Sequence, residues 1–358
     1  MDDLKRQPLK GRGAISNETS RYERETRVLS DDGWGENELL SEAVRTTVFD
    51  DTAKSILSKN RSPDVIFERS VNPYRGCEHA CIYCFARPTH AYLGLSPGLD
   101  FETKIFRKAN AAELLAAELR AKSYRCQPLA LGANTDPYQP IEREQRITRA
   151  ILEVCRDFNQ PVMIITKSAL VLRDLDILAP MAAKGLVNVA LSITTLDRDL
   201  ARRLEPRAST PHRRLDAMRE LTAAGVSVAV LASPMIPALN DHELESILQA
   251  AAEAGATQAN YILLRLPLEI ADLFDEWLRV HAPNRAERVL SLIRQCRDGE
   301  LYKSQFGTRM KGSGPIADLL SKRFKLACKR FGLNARDMNL NCAAFKPPPA
   351  KGDQLSLL

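Results

Sequence analysis

The sequence predicts an α/β protein whose core is a partial (β/α)6, TIM-like barrel, with an N-terminal arm and a basic helical extension at the C-terminus. Short apolar runs alternate with segments of helical spacing along most of the chain. The runs are continuously apolar, which is typical of parallel strands covered by helices. Five or six such β–α units in series favour a barrel or partial barrel over an antiparallel sandwich.

The composition is that of an ordinary globular protein. Of 358 residues, 44% are hydrophobic and 27% are charged, which excludes a disordered chain and is ample for a buried core. No segment has the roughly 20 consecutive apolar residues that span a bilayer, and the N-terminus lacks the apolar stretch of a secretory signal. We therefore expect a cytoplasmic protein without a membrane partner. Among its eight cysteines, the three clustered ones indicate metal binding or catalysis rather than disulfides.

Four regions are expected along the chain. Residues 1–60 are polar, with weak periodicity, and form an N-terminal arm. Residues 61–283 contain the β–α units and form the barrel core. Residues 284–345 form a basic helical region, and residues 346–358, which begin with a proline-rich stretch, form a flexible tail.

The first half of the core holds three predicted strands. VIFERSV at 65–71 has strand composition and runs directly into a cysteine cluster. KIFRK at 104–108 precedes an Ala- and Leu-rich helix at 111–122. PLALGA at 128–133 is an apolar run that ends near a glycine, and apolar residues at helical spacing predict a helix over 141–158.

The second half repeats the pattern. PVMIIT at 161–166 predicts a strand and 170–184 a helix. VNVALSIT at 187–194, VSVAVLAS at 226–233 and ANYILLRL at 259–266 predict further strands, each followed by helical spacing. Because the loops after barrel strands build active sites, polar residues at these strand ends are the candidates for function.

Three cysteines follow the first predicted strand in the pattern Cys77-x3-Cys81-x2-Cys84. Soft thiolates at this density select zinc or iron–sulfur centres rather than hard cations. A structural zinc site needs four ligands, usually as two separated pairs; no second pair is present, and His79, a possible fourth ligand, lies inside the same loop. Three thiolates on a cluster of four irons leave one iron open for chemistry. We therefore favour an iron–sulfur centre and keep zinc as the alternative.

This motif, with the aromatic Tyr83 just before the last cysteine, resembles the signature of radical S-adenosylmethionine (radical SAM) enzymes. The resemblance implies a [4Fe–4S] cluster on the three cysteines, with S-adenosylmethionine (SAM) on the open iron. It also implies an electron donor such as flavodoxin or ferredoxin, because reduction cleaves SAM to a 5′-deoxyadenosyl radical that abstracts hydrogen from the substrate. The chain is most similar to the spore photoproduct lyase branch, over roughly residues 60–270.

The resemblance assigns cofactor contacts at successive strand ends. Asn134 and Thr135 follow the strand at 128–133, where the family binds the methionyl part of SAM, and Tyr83 stands beside the cluster. Lys167 follows the next strand and resembles a contact to the cofactor carboxylate. Polar residues at strand ends also cap following helices, which is the plain alternative for each.

Two further strand ends complete the set. Ser192 and Thr194 lie where family members contact the ribose or the methionyl group. Met235 lies where the adenine is usually packed.

One departure from the branch concerns the hydrogen donor. Spore photoproduct lyase carries a hydrogen-donating cysteine at the end of the second barrel strand, but the matching segment 132–138 has none. Cys126 precedes the strand and is expected to point away. The departure argues against thymine-dimer reversal and leaves the catalytic residue unknown, while DNA or RNA stays the expected substrate class.

Positive charge is concentrated near the C-terminus. Residues 284–351 contain 15 Lys and Arg against 5 Asp and Glu, a net charge of +10, whereas the whole chain carries +6 and the remainder therefore −4. Such a region is either a solvated helix face or an electrostatic footprint for DNA or RNA.

Three functions follow as alternatives. The first is a radical SAM enzyme of repair or modification acting on nucleic acid. The second is the same enzyme class acting on a small molecule or peptide, with the basic region serving solubility. The third is a zinc-stapled nucleic-acid-binding protein without catalysis.

The last five residues, from Gln354 to Leu358, resemble the motif by which many bacterial replication and repair proteins bind the sliding clamp, with Leu in place of the preferred final Phe. A disordered tail of this kind would insert its leucines into an apolar groove and order on binding. The alternative is an apolar tail that packs on its own domain.

Overall fold

The computed structural model describes residues 8–23, 45–337 and 339–349. Its centre is a seven-stranded sheet, and a separate three-stranded sheet lies beside it. The strands are β1 (Thr47–Asp50), β2 (Leu57–Lys59), β3 (Arg69–Val71), β4 (Tyr74–Arg75), β5 (Lys104–Arg107), β6 (Leu129–Leu131), β7 (Val162–Thr166), β8 (Val187–Ser192), β9 (Ser227–Met235) and β10 (Gln258–Leu263).

Six strands of the large sheet are parallel and stand side by side in chain order. They are β3, β6, β7, β8, β9 and β10, and β2 pairs antiparallel with β3 at the outer edge. The register places Leu131 of β6 level with Ile164 of β7, which in turn pairs with Val189 of β8. This arrangement confirms the predicted partial (β/α)6 barrel.

Helices connect the parallel strands and cover the outside of the sheet. No helix in the described ranges is long and apolar enough to cross a membrane. The helices are α1 (Leu99–Thr103), α2 (Ala111–Arg120), α3 (Glu142–Gln145), α4 (Ile147–Asp157), α5 (Leu175–Ala182), α6 (Arg198–Leu204), α7 (Pro211–Ala223), α8 (Leu244–Glu253), α9 (Ile270–His281), α10 (Ala286–Gln295) and α11 (Gly314–Phe331), with short 3-10 helices that include Arg87–Leu93 and Ala169–Asp174.

The core lies between the sheet and these helices. All six residues of β8 and all three of β6 are buried, as their mostly apolar sequences predict for parallel strands. Ile151, Leu152 and Cys155 of α4 are fully buried against them. Each such aliphatic side chain stabilises the fold by about 1.5–3 kcal/mol relative to exposure.

Two predicted strands differ from those observed. Of the segment predicted at 65–71, only the last three residues pair in the sheet; Ile66 is 81% exposed, so this stretch has no second layer to bury it. The strand β5, predicted within the β–α series, pairs instead with β1 and β4 in the small sheet.

The predicted N-terminal arm contains β1 and β2, which the weak periodicity did not indicate. The helix predicted over 141–158 is broken at Arg146, whose φ of 51° is left-handed, into α3 and α4.

The basic C-terminal region packs on the barrel through α11, which lies against α8 and β10. The segment 339–349 then runs back across the fold: the backbone N–H of Asn341 donates to the Gly185 carbonyl and that of Lys346 to the Phe158 carbonyl, each at 2.9 Å. Residues 346–349, expected in the flexible tail, therefore contact the fold. The clamp-like motif at 354–358 lies outside the described residues.

Candidate active site

The cysteine loop at 77–84 follows the first barrel strand and turns sharply back on itself. Gly76 has a φ of +79°, and a Cβ there would lie 2.9 Å from the Phe101 carbonyl oxygen, so only glycine fits. The N–H of Cys77 donates to that same carbonyl at 3.0 Å, and the N–H of Cys84 donates to the Cys81 carbonyl at 3.2 Å. These turns direct all three thiols to one side of the loop.

That side faces a cavity of about 220 Å³ at the carboxyl ends of the parallel strands. Every barrel strand or the loop after it contributes to the wall, as expected for this type of fold. The polar and sulfur-bearing residues of the wall are Cys77, His79, Cys81, Tyr83, Cys84, Asn134, Asp136, Thr166, Lys167, Ser192, Ser233, Arg265 and Met310.

The three thiols are free, and Cys77 and Cys81 are buried. Burial raises the pKa of Cys77 well above its ordinary value and that of Cys81 to about 12, so without metal these thiols keep their protons, whereas a coordinated thiol loses its proton. In the part of the chain that the structure describes, no three His, Cys, Asp or Glu side chains are arranged around a single ion site. The thiols line the wall of the cavity, and this soft donor set fits an iron–sulfur cluster.

Lys167 enters the cavity from the end of β7. Its ammonium lies 5.8 Å from the centre of the Tyr83 ring and, among the described residues, has no hydrogen bond or ion pair. Burial lowers the pKa of Lys167, but the nearby Cys81 and Glu205 raise it above the ordinary value on balance. The side chain is therefore a cation held ready for an anionic ligand.

Asp136 connects the cysteine loop to the strand ends. Its carboxylate accepts hydrogen bonds from the Thr166 hydroxyl at 2.7 Å and the Lys167 N–H at 2.8 Å, and lies 3.2 Å from Nδ1 of the buried His79. Burial raises the pKa of Asp136, but His79 and these hydrogen bonds bring it down to about 2. The amino-acid sequence alone did not indicate this role for Asp136.

Glu205 organises the opposite side of the loop. Its buried carboxylate accepts hydrogen bonds from the Tyr83 hydroxyl, the Thr194 hydroxyl and the Arg214 guanidinium. Arg214 also donates to the Ser192 carbonyl at 2.8 Å, which ties this network to the end of β8. No motif in the sequence marked Glu205, whose partners lie 122, 11 and 9 residues away in three separate segments.

Seven of the ten predicted site residues meet at the cavity, and three do not. Thr135 is buried below it, and its hydroxyl donates to the Tyr74 carbonyl at 2.8 Å. The Thr194 hydroxyl lies within hydrogen-bond distance of the Glu205 carboxylate and the Ser233 carbonyl. Met235 lies in the core. Leu231 and Ser233, two residues apart on β9, both reach the cavity, but the pairing of β9 with β10 shifts register between Tyr261 and Leu263, opposite Met235, and the regular alternation does not continue to Met235. The seven that meet are Cys77, Cys81, Tyr83, Cys84, Asn134, Lys167 and Ser192.

The sequence model of the Radical SAM superfamily matches residues 71–251 of this chain, which span the barrel strands from β3 to β9 and the cysteine loop. The chain belongs to the radical SAM superfamily. It is therefore an enzyme of that class, whose family cofactors are SAM and an iron–sulfur cluster. This membership removes support from a zinc-stapled protein without catalysis.

Relatives extend the match beyond the barrel strands. An uncharacterised protein of Mycobacterium bovis is 38% identical over 265 residues, 72% of this chain and 78% of that protein. An uncharacterised protein of Methanocaldococcus jannaschii is 30% identical over 174 residues, 48% of this chain and 62% of that protein.

Solved structures of spore photoproduct lyase share the fold. A mutant of that enzyme superposes with a TM-score of 0.59 at 17% identity and covers 86% of each chain. Its complex with dinucleoside spore photoproduct superposes with a TM-score of 0.56 at 15% identity and covers 80% of each. The likeness agrees with the fold expected for the spore photoproduct lyase branch.

Proposed function

We propose that this enzyme holds a [4Fe–4S] cluster on Cys77, Cys81 and Cys84, binds SAM beside it, and acts on nucleic acid. The observation that carries the proposal is that three thiols and the unpaired ammonium of Lys167 face one cavity at the strand ends. A reduced cluster with SAM supplies a 5′-deoxyadenosyl radical for hydrogen abstraction.

The residues of the cavity have distinct parts in this function. Lys167 neutralises the carboxylate of SAM, while the side chains of Asn134 and Ser192 hydrogen-bond its polar groups. Tyr83 is fixed by Glu205 beside the last cysteine and forms part of the wall. The apolar lining, which includes Leu231 and Leu263, excludes water from the site of the radical.

The basic C-terminal region supports nucleic acid as the substrate class. Lys322, Lys325 and Lys329 are exposed on α11, whereas Arg309 and Arg323 are paired with Asp64 and Glu245 and are not free for phosphates. One solved complex of spore photoproduct lyase contains SAM and a dinucleoside photoproduct, which is consistent with a nucleotide substrate in a related fold. We do not extend the proposal to thymine-dimer reversal, because the segment 132–138 has no cysteine.

Two partners complete the proposal. A flavodoxin or ferredoxin supplies the electron, and the tail from Gln354 to Leu358 binds the bacterial sliding clamp. Calorimetric titration of the clamp with the full chain and with a chain ending at Asp353 tests the second partner. We expect micromolar binding that disappears on truncation; equal binding by both chains, or by neither, contradicts it.

Anaerobic reconstitution tests the cluster and the enzyme class together. With SAM and dithionite, the wild type is expected to form 5′-deoxyadenosine and to contain iron and sulfide, and Cys77→Ala to do neither. Cys342→Ala, which removes a thiol far from the loop in sequence, is the matched control and keeps both properties. Zinc in place of iron, or 5′-deoxyadenosine from Cys77→Ala at the wild-type rate, contradicts the proposal.

Nucleic acid and small-molecule substrates are separated by the salt dependence of binding. If the chain neutralises phosphates, the logarithm of its affinity for DNA or RNA falls linearly with the logarithm of the salt concentration, by about 0.9 per phosphate on duplex DNA. Absence of oligonucleotide binding at low salt favours the small-molecule or peptide alternative.

A further inference from the structure

Arg265 is a cation of the cavity wall that the proposed cofactor contacts leave unused. It lies two residues after β10 and lines the same cavity as Cys84 and Lys167. Its guanidinium lies 4.8 Å from the centre of the Phe85 ring. Within the described ranges the guanidinium makes no hydrogen bond or ion pair.

The three arginines that are fully buried in the described part of the chain all have partners. Arg87 pairs with Glu102 and donates to three backbone carbonyls, and Arg214 pairs with Glu205. Arg297 donates to the carbonyls of Leu263, Leu264 and Arg309. Arg265 is partly buried, and among the described residues its guanidinium contacts the Phe85 ring but no hydrogen-bond acceptor. Because withdrawing an unpaired cation from water is unfavourable, an anion bound in the cavity would stabilise it.

The nearby carboxylate of Asp64 already has hydrogen-bond and ion-pair partners other than Arg265. Asp64 accepts a hydrogen bond from the Gly307 N–H at 2.7 Å and pairs with Arg309 at 2.5 Å. These contacts join the loop before β3 to the loop before α11 at the open edge of the partial barrel. Arg309 adds positive charge close to Arg265, and burial lowers the pKa of Arg265.

The surroundings of Arg265 suit a nucleotide. Phe85 is 46% exposed, and the wall beside it contains Val65, Phe67 and Met310. A planar guanidinium binds a phosphate through two parallel hydrogen bonds, and exposed aromatic rings stack on bases. This wall also lies next to the cysteine loop, where hydrogen abstraction would occur.

We propose that Arg265 binds a phosphate of the substrate strand and so places the adjoining nucleotide in the cavity beside the cysteine loop. This inference rests on the proposed nucleic-acid function and adds the group that recognises the substrate. It makes Arg265 a substrate-binding residue separate from Lys167, which faces the cofactor.

The test compares two oligonucleotides on the anaerobically reconstituted holoenzyme with SAM. Fluorescence anisotropy measures binding of fluorescein-labelled tetrathymidylate with ordinary linkages and of the same oligomer with uncharged methylphosphonate linkages. The wild type is expected to prefer the charged oligomer, and Arg265→Gln to bind it about tenfold to hundredfold more weakly and so to show little of the preference. Arg265→Lys keeps the charge without the paired donors and is expected to fall between them.

Arg202→Gln, which removes an exposed cation of α6, is the matched control and keeps the wild-type preference. SAM affinity, measured by equilibrium dialysis, is expected to be unchanged in Arg265→Gln. If the wild type binds the charged oligomer and Arg265→Gln keeps the same preference for it, the assignment of Arg265 is overturned while the nucleic-acid function stands. The same conclusion follows if Arg265→Gln loses SAM affinity but keeps the preference. Failure of the wild type to bind either oligomer overturns both this inference and the nucleic-acid function.

Discussion

At the scale of single residues, buried charged side chains, and not only the hydroxyl groups at the strand ends, hold the side chains of the cavity wall in position. Glu205 and Arg214 form an ion pair with both side chains 1% exposed, and the same carboxylate accepts the Tyr83 hydroxyl. Removing one partner of a buried pair leaves an uncompensated charge and typically costs about 3–5 kcal/mol. The position of Tyr83 beside the last cysteine is therefore set by a residue more than a hundred positions away.

Asp136→Asn is expected to destabilise the cluster-free protein by about 2 kcal/mol near neutral pH, because the pKa of this carboxyl is about 2 rather than 3.8. A lowered folded-state pKa contributes stability that is present above the unfolded pKa and is lost as the pH falls through the folded pKa. Urea unfolding at about pH 7, 3 and 2 should therefore show the difference between the two proteins shrinking as the pH falls between the unfolded and folded pKa. Asp318→Asn, on the exposed face of α11, should track the wild type; a pH-independent difference for Asp136→Asn would falsify the ionised-carboxylate role.

Lys167→Ala is expected to weaken SAM binding by about tenfold or more, since the variant has no cation to form a charge-assisted hydrogen bond with the carboxylate. Iron and sulfide content should stay at the wild-type level, because Lys167 is not a cluster ligand. Equilibrium dialysis and metal analysis on the reconstituted protein give both readouts, with Lys322→Ala on α11 as control. Unchanged affinity would mean that the lysine serves the fold or the substrate.

At the scale of elements, the cysteine loop is held from outside by the described part of the N-terminal arm. Glu102 of α1 accepts the N–H of Gly13 at 3.1 Å and of Ala14 at 2.8 Å, and pairs with Arg87 just after the cysteines. Gly13 lies so close to the loop that a Cβ there would be 1.9 Å from the Ala80 carbonyl oxygen. The described part of the arm thus packs against the cysteine loop and is not a separate appendage.

Gly13→Ala is expected to displace the arm from the loop and to reduce the iron retained per chain after reconstitution. The physical reason is the clash with the Ala80 backbone, which cannot move without shifting Cys77 and Cys81. Iron content after gel filtration measures it. The control is Gly11→Asn, where nothing lies within 4 Å and the φ of +76° suits asparagine; equal iron retention by all three proteins would contradict the account.

At the scale of the whole molecule, the positive charge of the C-terminal region divides into paired and free cations. Arg323 is paired with Glu245 and holds α11 to α8, and the buried Arg297 donates to backbone carbonyls of the last barrel strand and the loop after it. The lysines of α11 at 322, 325 and 329 remain exposed. Part of the positive charge of this region is therefore bound within the fold. Only the exposed lysines are available to bind DNA or RNA.

Replacing Lys322, Lys325 and Lys329 together by Gln is expected to weaken duplex DNA binding and to reduce the salt slope by up to about 0.9 for each phosphate that is no longer neutralised. Anisotropy titrations between low and moderate salt measure the slope. The charge-matched control replaces Arg198, Arg202 and Arg213, exposed cations on α6 and α7, by Gln. Equal slopes for both triple variants would show a general charge effect instead of a binding face.

Local sequence patterns predict the strands of the second half of the barrel. The apolar runs of β7, β8 and β9 indicate strands because most residues of each strand are buried. The segment 65–71 and β5 differ from their predicted places in the sheet, since short strands of similar composition acquire their partners only through tertiary pairing. The same limit applies to Met235: a register shift between β9 and β10, which no local pattern shows, accompanies its position in the core rather than at the cavity.

The enzyme class and the candidate cluster ligands can be read from the amino-acid order, because three cysteines of fixed spacing lie within one loop and need no distant partner to be recognised. The same holds for the order of the β–α units and thus for the face on which Lys167 and Ser192 meet. Which polar groups are free depends instead on the folded chain. Glu205, Asp136 and Arg265 look alike in the sequence as isolated charges, but the fold gives the first two buried partners and leaves the third facing the cavity. Burial and pairing arise from contacts between distant segments, and these contacts separate the residues that hold the site from the one left to bind a ligand.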